Sequence, residues 1–203
     1  MSRDSRSDIA AALARRRLGC VAIGASAGGI DALFTVLEDL PASGPVPLVC
    51  VLHLPTGHDS KLAEIFGARL RLRVTEARPG ERLAAGTLYF APADYHLLVE
   101  PDRSFSLSCE APINYSRPAI DALFDSCAEA FGPALLALLL TGANDDGARG
   151  LARVRAAGGL AVVQDPAEAQ HPAMPQAALD RAGADLVLPL SRIRELLATL
   201  MRS

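Results

Sequence analysis

The chain has 203 residues, half of them hydrophobic and 21% charged, enough for one sizeable core and too apolar for a disordered protein. Aromatics make up 4%, Trp is absent and the net charge is -3, which argues against a base-stacking platform and against phosphate binding as the main role. Cys20, Cys50, Cys109 and Cys127 are scattered without a C-x-x-C pair, the pattern of reduced thiols in a cytosolic protein.

Residues 1–17 are polar and charged, with no apolar signal core. They read as a flexible or partly helical extension, with Arg15, Arg16 and Arg17 as a solvated charge run. A strand is predicted over 20–24 and a helix over 29–40, where Ile30, Leu33, Phe34 and Leu37 share one face. A strand over 48–52 ends at His53, and Pro55 and Gly57 break the chain. The next helix runs from His58 or Asp59 to about 70, with Asp59 or Ser60 as its cap. Short strands follow over 71–77 and 87–91, and 95–100 with 104–109 forms a hairpin about Pro101-Asp102-Arg103.

Residues 117–131 repeat apolar positions at helical spacing, at Ile120, Leu123, Phe124 and Cys127. The aliphatic run 134–140 has no polar alternation, the mark of a strand buried on both faces, and is too short to cross a bilayer. A helix over 146–157, a strand over 160–164, a helix over 173–182, a strand over 184–188 and a helix over 190–201 complete the chain. Strands alternating with helices predict an α/β fold: a mostly parallel sheet, helices on both faces, and the 95–109 hairpin as an antiparallel edge insertion.

The chemistry begins at Val21-Ala22-Ile23-Gly24-Ala25-Ser26-Ala27-Gly28-Gly29, a strand that stops in small residues before a helix. Gly24 to Gly28 fit G-x-S-x-G, in which a serine sits exposed on a sharp turn. Helix-start N–H groups can also bind an oxyanion or a phosphate. Two other readings compete. A dinucleotide fingerprint would need glycine where Ser26 stands, and the acidic residue expected about 20 positions on is missing from 49–54. Alternatively, Ser26 only caps the helix.

Sites in open α/β sheets form beyond the carboxyl ends of the strands. Ser26 follows the first strand, His53 the second, and Asp145 and Asp146 the run 134–140, so all three residue types of a serine hydrolase triad share one edge. The imidazole would accept the serine proton, the carboxylate would orient the imidazole, and glycine-turn N–H groups would hold the tetrahedral oxyanion. His58, His96 and His171 read as surface or structural residues. No H-E-x-x-H or ligand spacing predicts a metal. The order Ser, His, Asp differs from the Ser, Asp, His order of α/β-hydrolases. Spacing leaves Asp145 and Asp146 open, since Asp145 could cap the next helix.

With those residues in view, the chain resembles the catalytic domain of the bacterial chemotaxis receptor methylesterases, the CheB family, over 18–201. The resemblance rests on Gly24-Ala25-Ser26-Ala27-Gly28-Gly29, Leu52-His53-Leu54-Pro55, and Leu139-Leu140-Thr141-Gly142 continuing to Asp146-Gly147. Supporting segments are Gly86 to Pro92, Ser116 to Asp121 and Met174-Pro175. It implies a doubly wound sheet, a triad of Ser26, His53 and Asp146, and an oxyanion donor at the Ala143 N–H, beside that of Ala27.

The implied reaction is hydrolysis of glutamate γ-methyl esters on the cytoplasmic helical bundle of chemoreceptors, releasing methanol. It extends to deamidation of selected glutamines and needs neither cofactor nor metal. The implied location is cytoplasmic, without nucleic acid or membrane insertion. Departures are Ala27 where the family often has Thr, and Ala143-Asn144 where it often has Met-Gly; Asn tolerates positive φ. The first 17 residues are too short for the family's receiver domain, so control by phosphorylation within the same chain is not expected, and 18–203 reads as a stand-alone catalytic domain, a piece of a longer protein, or one partner of a separate response regulator. The alternative is a catalytically silent module binding a protein or ligand at the same edge; a nucleotide-binding domain is the third reading.

Overall fold

A computed structural model of the chain describes residues 4–14, 16–53 and 61–202. Its first half contains α1 (Asp4–Ala14), β1 (Cys20–Ala25), α2 (Gly29–Leu37), β2 (Leu48–Leu52), α3 (Leu62–Gly67), β3 (Arg73–Glu76), β4 (Thr87–Phe90), β5 (His96–Val99) and β6 (Phe105–Ser108). The second contains α4 (Ile120–Phe131), β7 (Leu135–Leu139), α5 (Ala148–Ala156), β8 (Leu160–Gln164), α6 (Ala173–Ala182), β9 (Leu186–Leu188) and α7 (Leu190–Arg202).

Seven strands pair in the order β3-β4-β2-β1-β7-β8-β9, every pair parallel. Parallel neighbours need crossovers, and these lay helices on both faces. Val21, Ile23, Leu136 and Leu138 point into one layer with Leu33 and Leu37 of α2, Phe66 of α3 and Ile193 and Leu197 of α7. Cys20, Ala22, Leu135, Ala137 and Leu139 point into the other, with Leu123 and Phe124 of α4, Leu151 and Val154 of α5 and Ala178 of α6. The sheet is doubly wound. Its core strands β1, β2 and β7 are buried throughout.

After β1 the chain departs toward β2, and β7 later adds on the other side of β1. The connections therefore diverge there and leave a crevice beyond the carboxyl ends. Gly24 admits α4 to this end of the sheet. A Cβ on it would lie 2.4 Å from Cγ2 of Ile120, so a bare strand residue lets the first turn of α4 rest on the sheet.

The hairpin β5–β6 forms a two-stranded antiparallel sheet of its own rather than extending the parallel one. Leu97, Val99 and Phe105 bury into the α4 layer, and the Val99 N–H donates to Ser126 Oγ of α4 at 3.1 Å. Within 1–17, α1 places Ile9 against the α2 and α7 layer, and Arg16 donates to the Gly158 carbonyl. Arg15, and residues 54–60 of the helix expected from His58 or Asp59, lie outside the described residues. Among the described residues no helix is long and apolar enough to cross a membrane.

Candidate active site

β1 ends at Ala25, and Ser26 begins the turn that leads into α2. Gly28 has φ 76° at the helix N-cap, a left-handed conformation that glycine adopts without a steric cost. The Ser26 N–H donates to the Thr141 carbonyl at 3.0 Å, and the His53 N–H to the Ala25 carbonyl at 3.1 Å. Ser26 therefore stands between the end of β2, which delivers His53, and the loop after β7.

That loop delivers Asp146, which is fully buried. Its Oδ2 accepts the Ile120 N–H at 2.7 Å, and its Oδ1 those of Asp121 at 3.0 Å and Gly147 at 2.9 Å. Asp146 thus caps α4, whose own N-cap residue Ala119 supplies no side-chain bond. This explains why α4 starts at Ile120 and not at the expected 117. The amides fix the carboxylate so that Oδ2 lies 2.9 Å from Nε2 of His53. That contact has hydrogen-bond length without its direction, because the ring N–H axis misses the oxygen. Nδ1 is hydrogen-bonded to Ser116 Oγ at 3.4 Å. Asp145 is exposed, and its carbonyl accepts the Ala148 N–H at the start of α5.

A sequence-family model described as CheB methylesterase matches residues 21–197. The chain belongs to the CheB methylesterase family. It is similar to a putative protein-glutamate methylesterase/protein-glutamine glutaminase of Leptospira interrogans, 42% identical over 176 residues, covering 87% of this chain and 91% of that relative. A protein-glutamate methylesterase/protein-glutamine glutaminase 2 of Pseudomonas aeruginosa is 43% identical over 85% of this chain, which spans 50% of that relative's length. The fold superposes on the crystal structure of the Thermotoga maritima CheB methylesterase catalytic domain with a TM-score of 0.85 at 34% identity, covering 90% of this chain and 98% of that one.

In this CheB-family chain Ala27 is half-buried and Ala143 exposed, and among the described residues neither amide N–H has a hydrogen-bond acceptor. Asn144 does not use the positive φ it tolerates; its Oδ1 instead accepts the Asp146 N–H at 3.3 Å. His96 is buried, with Nε2 at 3.1 Å from the Ala111 carbonyl and Nδ1 accepting the Ala119 N–H at 3.2 Å. The His171 backbone joins the Thr141 loop, and His58 lies outside the described residues. Arg117 spends its Nη1 on the carbonyls of Cys109 and Glu110, and the Met174 side chain is buried. Among the described residues no group of three or more His, Cys, Asp and Glu could hold a metal. Sequence reasoning missed Ser116, whose partner lies 63 positions away, and the joining role of Thr141.

Proposed function

We propose that this chain is a protein-glutamate methylesterase that hydrolyses γ-methyl esters on the cytoplasmic helices of chemotaxis receptors and deamidates glutamines there. The observation that carries the reading is the buried Asp146 carboxylate in contact with His53, whose backbone is bonded to the residue before Ser26. Ser26 is the nucleophile. His53 takes its proton, and the serine oxygen adds to the ester carbonyl. The oxyanion that forms is received by the N–H groups of Ala27 and Ala143, donors of a kind each worth about 2.7–4 kcal/mol.

Collapse expels methoxide, which takes the proton from His53 and leaves as methanol. Water then attacks the acyl-enzyme as His53 again accepts a proton, and collapse breaks the bond to Ser26, whose oxygen takes that proton back as glutamate is released. A glutamine side chain follows the same course with ammonia as the leaving group. Asp146 holds the ring orientation and stabilises the imidazolium in both halves.

The test is methanol release from methylated receptor membranes, comparing the wild-type chain with Ser26→Ala and His53→Ala. Release by the wild type alone is expected. Undiminished release by Ser26→Ala would overturn the assignment of the nucleophile. Receptor binding without turnover in any variant, with Ser26 inert to a fluorophosphonate, would favour a silent binding module.

A further inference from the structure

We propose that the Thr141 hydroxyl is the positioning device of the oxyanion site, holding the turns of Ala27 and Ala143 in a single alignment; this rests on the methylesterase reading above. A peptide unit is planar and trans, so its N–H and its C=O point in opposite directions. The Ala27 N–H shares a unit with the Ser26 carbonyl, which accepts the Gly29 N–H at 2.8 Å. The Ala143 N–H shares one with the Gly142 carbonyl, which accepts the Met174 N–H at 2.9 Å. Each unpartnered amide is therefore aimed by a bond on the far side of its own peptide plane.

Those two peptide units belong to separate loops, one after β1 and one after β7, and Met174 lies in the first turn of α6, at the end of a third loop that leaves β8 and contains His171. Oxyanion donors act only when held within about half an ångström of the productive geometry. Thr141, in the loop after β7, bonds to the other two. Its carbonyl accepts the Ser26 N–H at 3.0 Å, its Oγ1 donates to the Ala27 carbonyl at 3.0 Å, and Oγ1 accepts the His171 N–H at 2.9 Å. The His171 carbonyl, 3.3 Å from Oγ1, takes the Gly142 N–H at 3.0 Å, which brings Met174 onto Gly142.

The remaining polar group of Thr141, its N–H, donates to Oε1 of buried Gln164 at 2.8 Å. Thr141 is 1% exposed, so solvent does not compete for the hydroxyl. A valine would fill the same space and leave the Ala27 carbonyl and the His171 N–H without their common partner.

The experiment compares Thr141→Val with Thr141→Ser. It reads kcat and KM for methanol release from methylated receptor membranes and the rate at which a fluorophosphonate labels Ser26. Valine is expected to lower kcat and the labelling rate about ten- to hundredfold, less than the loss of a donor outright, with KM unchanged within about twofold. Serine restores both rates. A valine variant as fast as wild type, a serine variant as slow as valine, or a rise in KM in place of the fall in kcat would overturn the positioning role. If the valine variant does not fold, Thr141→Cys against Thr141→Ser repeats the comparison, and equal rates overturn it. An unlabelled wild-type Ser26 with no methanol release would sink the methylesterase reading itself, whereas a labelled wild type matched by valine sinks only the role of Thr141.

Discussion

Asp146 and Asp121 cap each other's helices. Asp146, two residues before α5, takes the Ile120 and Asp121 amides at the start of α4. Asp121, in the first turn of α4, takes the Gly150 amide in the first turn of α5 at 2.7 Å. Two helix N-termini, each short of donors' partners, are thereby satisfied crosswise, and the carboxylate that meets His53 is fixed by the packing of α4 on α5. Arg149, with Nε 3.2 Å from Asp121 Oδ2, offsets the second buried charge.

Replacing Asp146 should cost both turnover and stability. In Asp146→Asn the amide nitrogen must face an N–H donor, leaving a buried group unsatisfied at about 1–3 kcal/mol. Loss of the orienting carboxylate should lower kcat by about 10⁴. Urea unfolding and methanol release, measured on the same preparation, check the two effects separately.

Asp121 gives a pH signature. Burial pushes its carboxyl above the usual carboxylate range, the Gly150 amide opposes this, the Asp146 charge adds to it and Arg149 pulls back; Asp125 adds a little more upward push. A carboxyl raised in the folded state stabilises the fold while protonated, below its unfolded value, and loses that contribution as pH rises through its raised folded value. Asp121→Asn removes this titration. Its urea midpoint should gain on that of the wild type as pH goes from about 4 to 7. A difference constant across that range would refute the assignment.

Gly24→Ala should act on the site at a distance from the chemistry. The added methyl meets Ile120, whose amide holds Asp146, and overpacking of this kind costs about 1–3 kcal/mol. Thermal unfolding should show the loss, and kcat should fall while the rest of the fold keeps its circular dichroism. Normal kcat in a destabilised variant would show that the helix start tolerates the shift.

The thiols should react unequally. Cys20, Cys50 and Cys127 are fully buried and Cys109 is exposed, and burial pushes the Cys50 thiol upward, away from the reactive thiolate. Iodoacetamide on the native chain, followed by peptide mass spectrometry, should modify Cys109 alone. Early modification of Cys50 would contradict the buried central strand.

The central sheet was legible because its signals are local. β2 and β8 occupy the ranges read from the sequence, 48–52 and 160–164, because short aliphatic runs without polar alternation mark strands buried on both faces, and α6 occupies 173–182 after Pro172. Helix starts at the site were less legible. α4 begins three residues late and α5 two, because the residue that separates them from the preceding loop, Asp146, spends its carboxylate on α4. That contact spans 26 positions and has no sequence period. Spacing likewise left Asp145 and Asp146 undecided, and the difference between them is one of burial, which depends on how α4 packs. The hairpin was readable, but its detachment from the main sheet follows from the apolar face that Leu97 and Phe105 turn toward α4.

Strand β1 has a consequence for how the site comes into being. Its neighbour on one side is β2, close in the chain, with Val21 opposite Leu48; on the other it is β7, with Cys20 opposite Leu135. Closing the second seam means shutting a long loop before any contact repays the entropy, which makes such pairings slow. The pairing of β1 with β2 alone would set the Ser26 turn next to His53, whereas Asp146 and Ala143 lie beyond β7 and come to the site only with its pairing. On the methylesterase reading, recovery of turnover after dilution from denaturant should therefore follow the pairing of β7 with β1, and a nascent chain still lacking β7 should show no turnover.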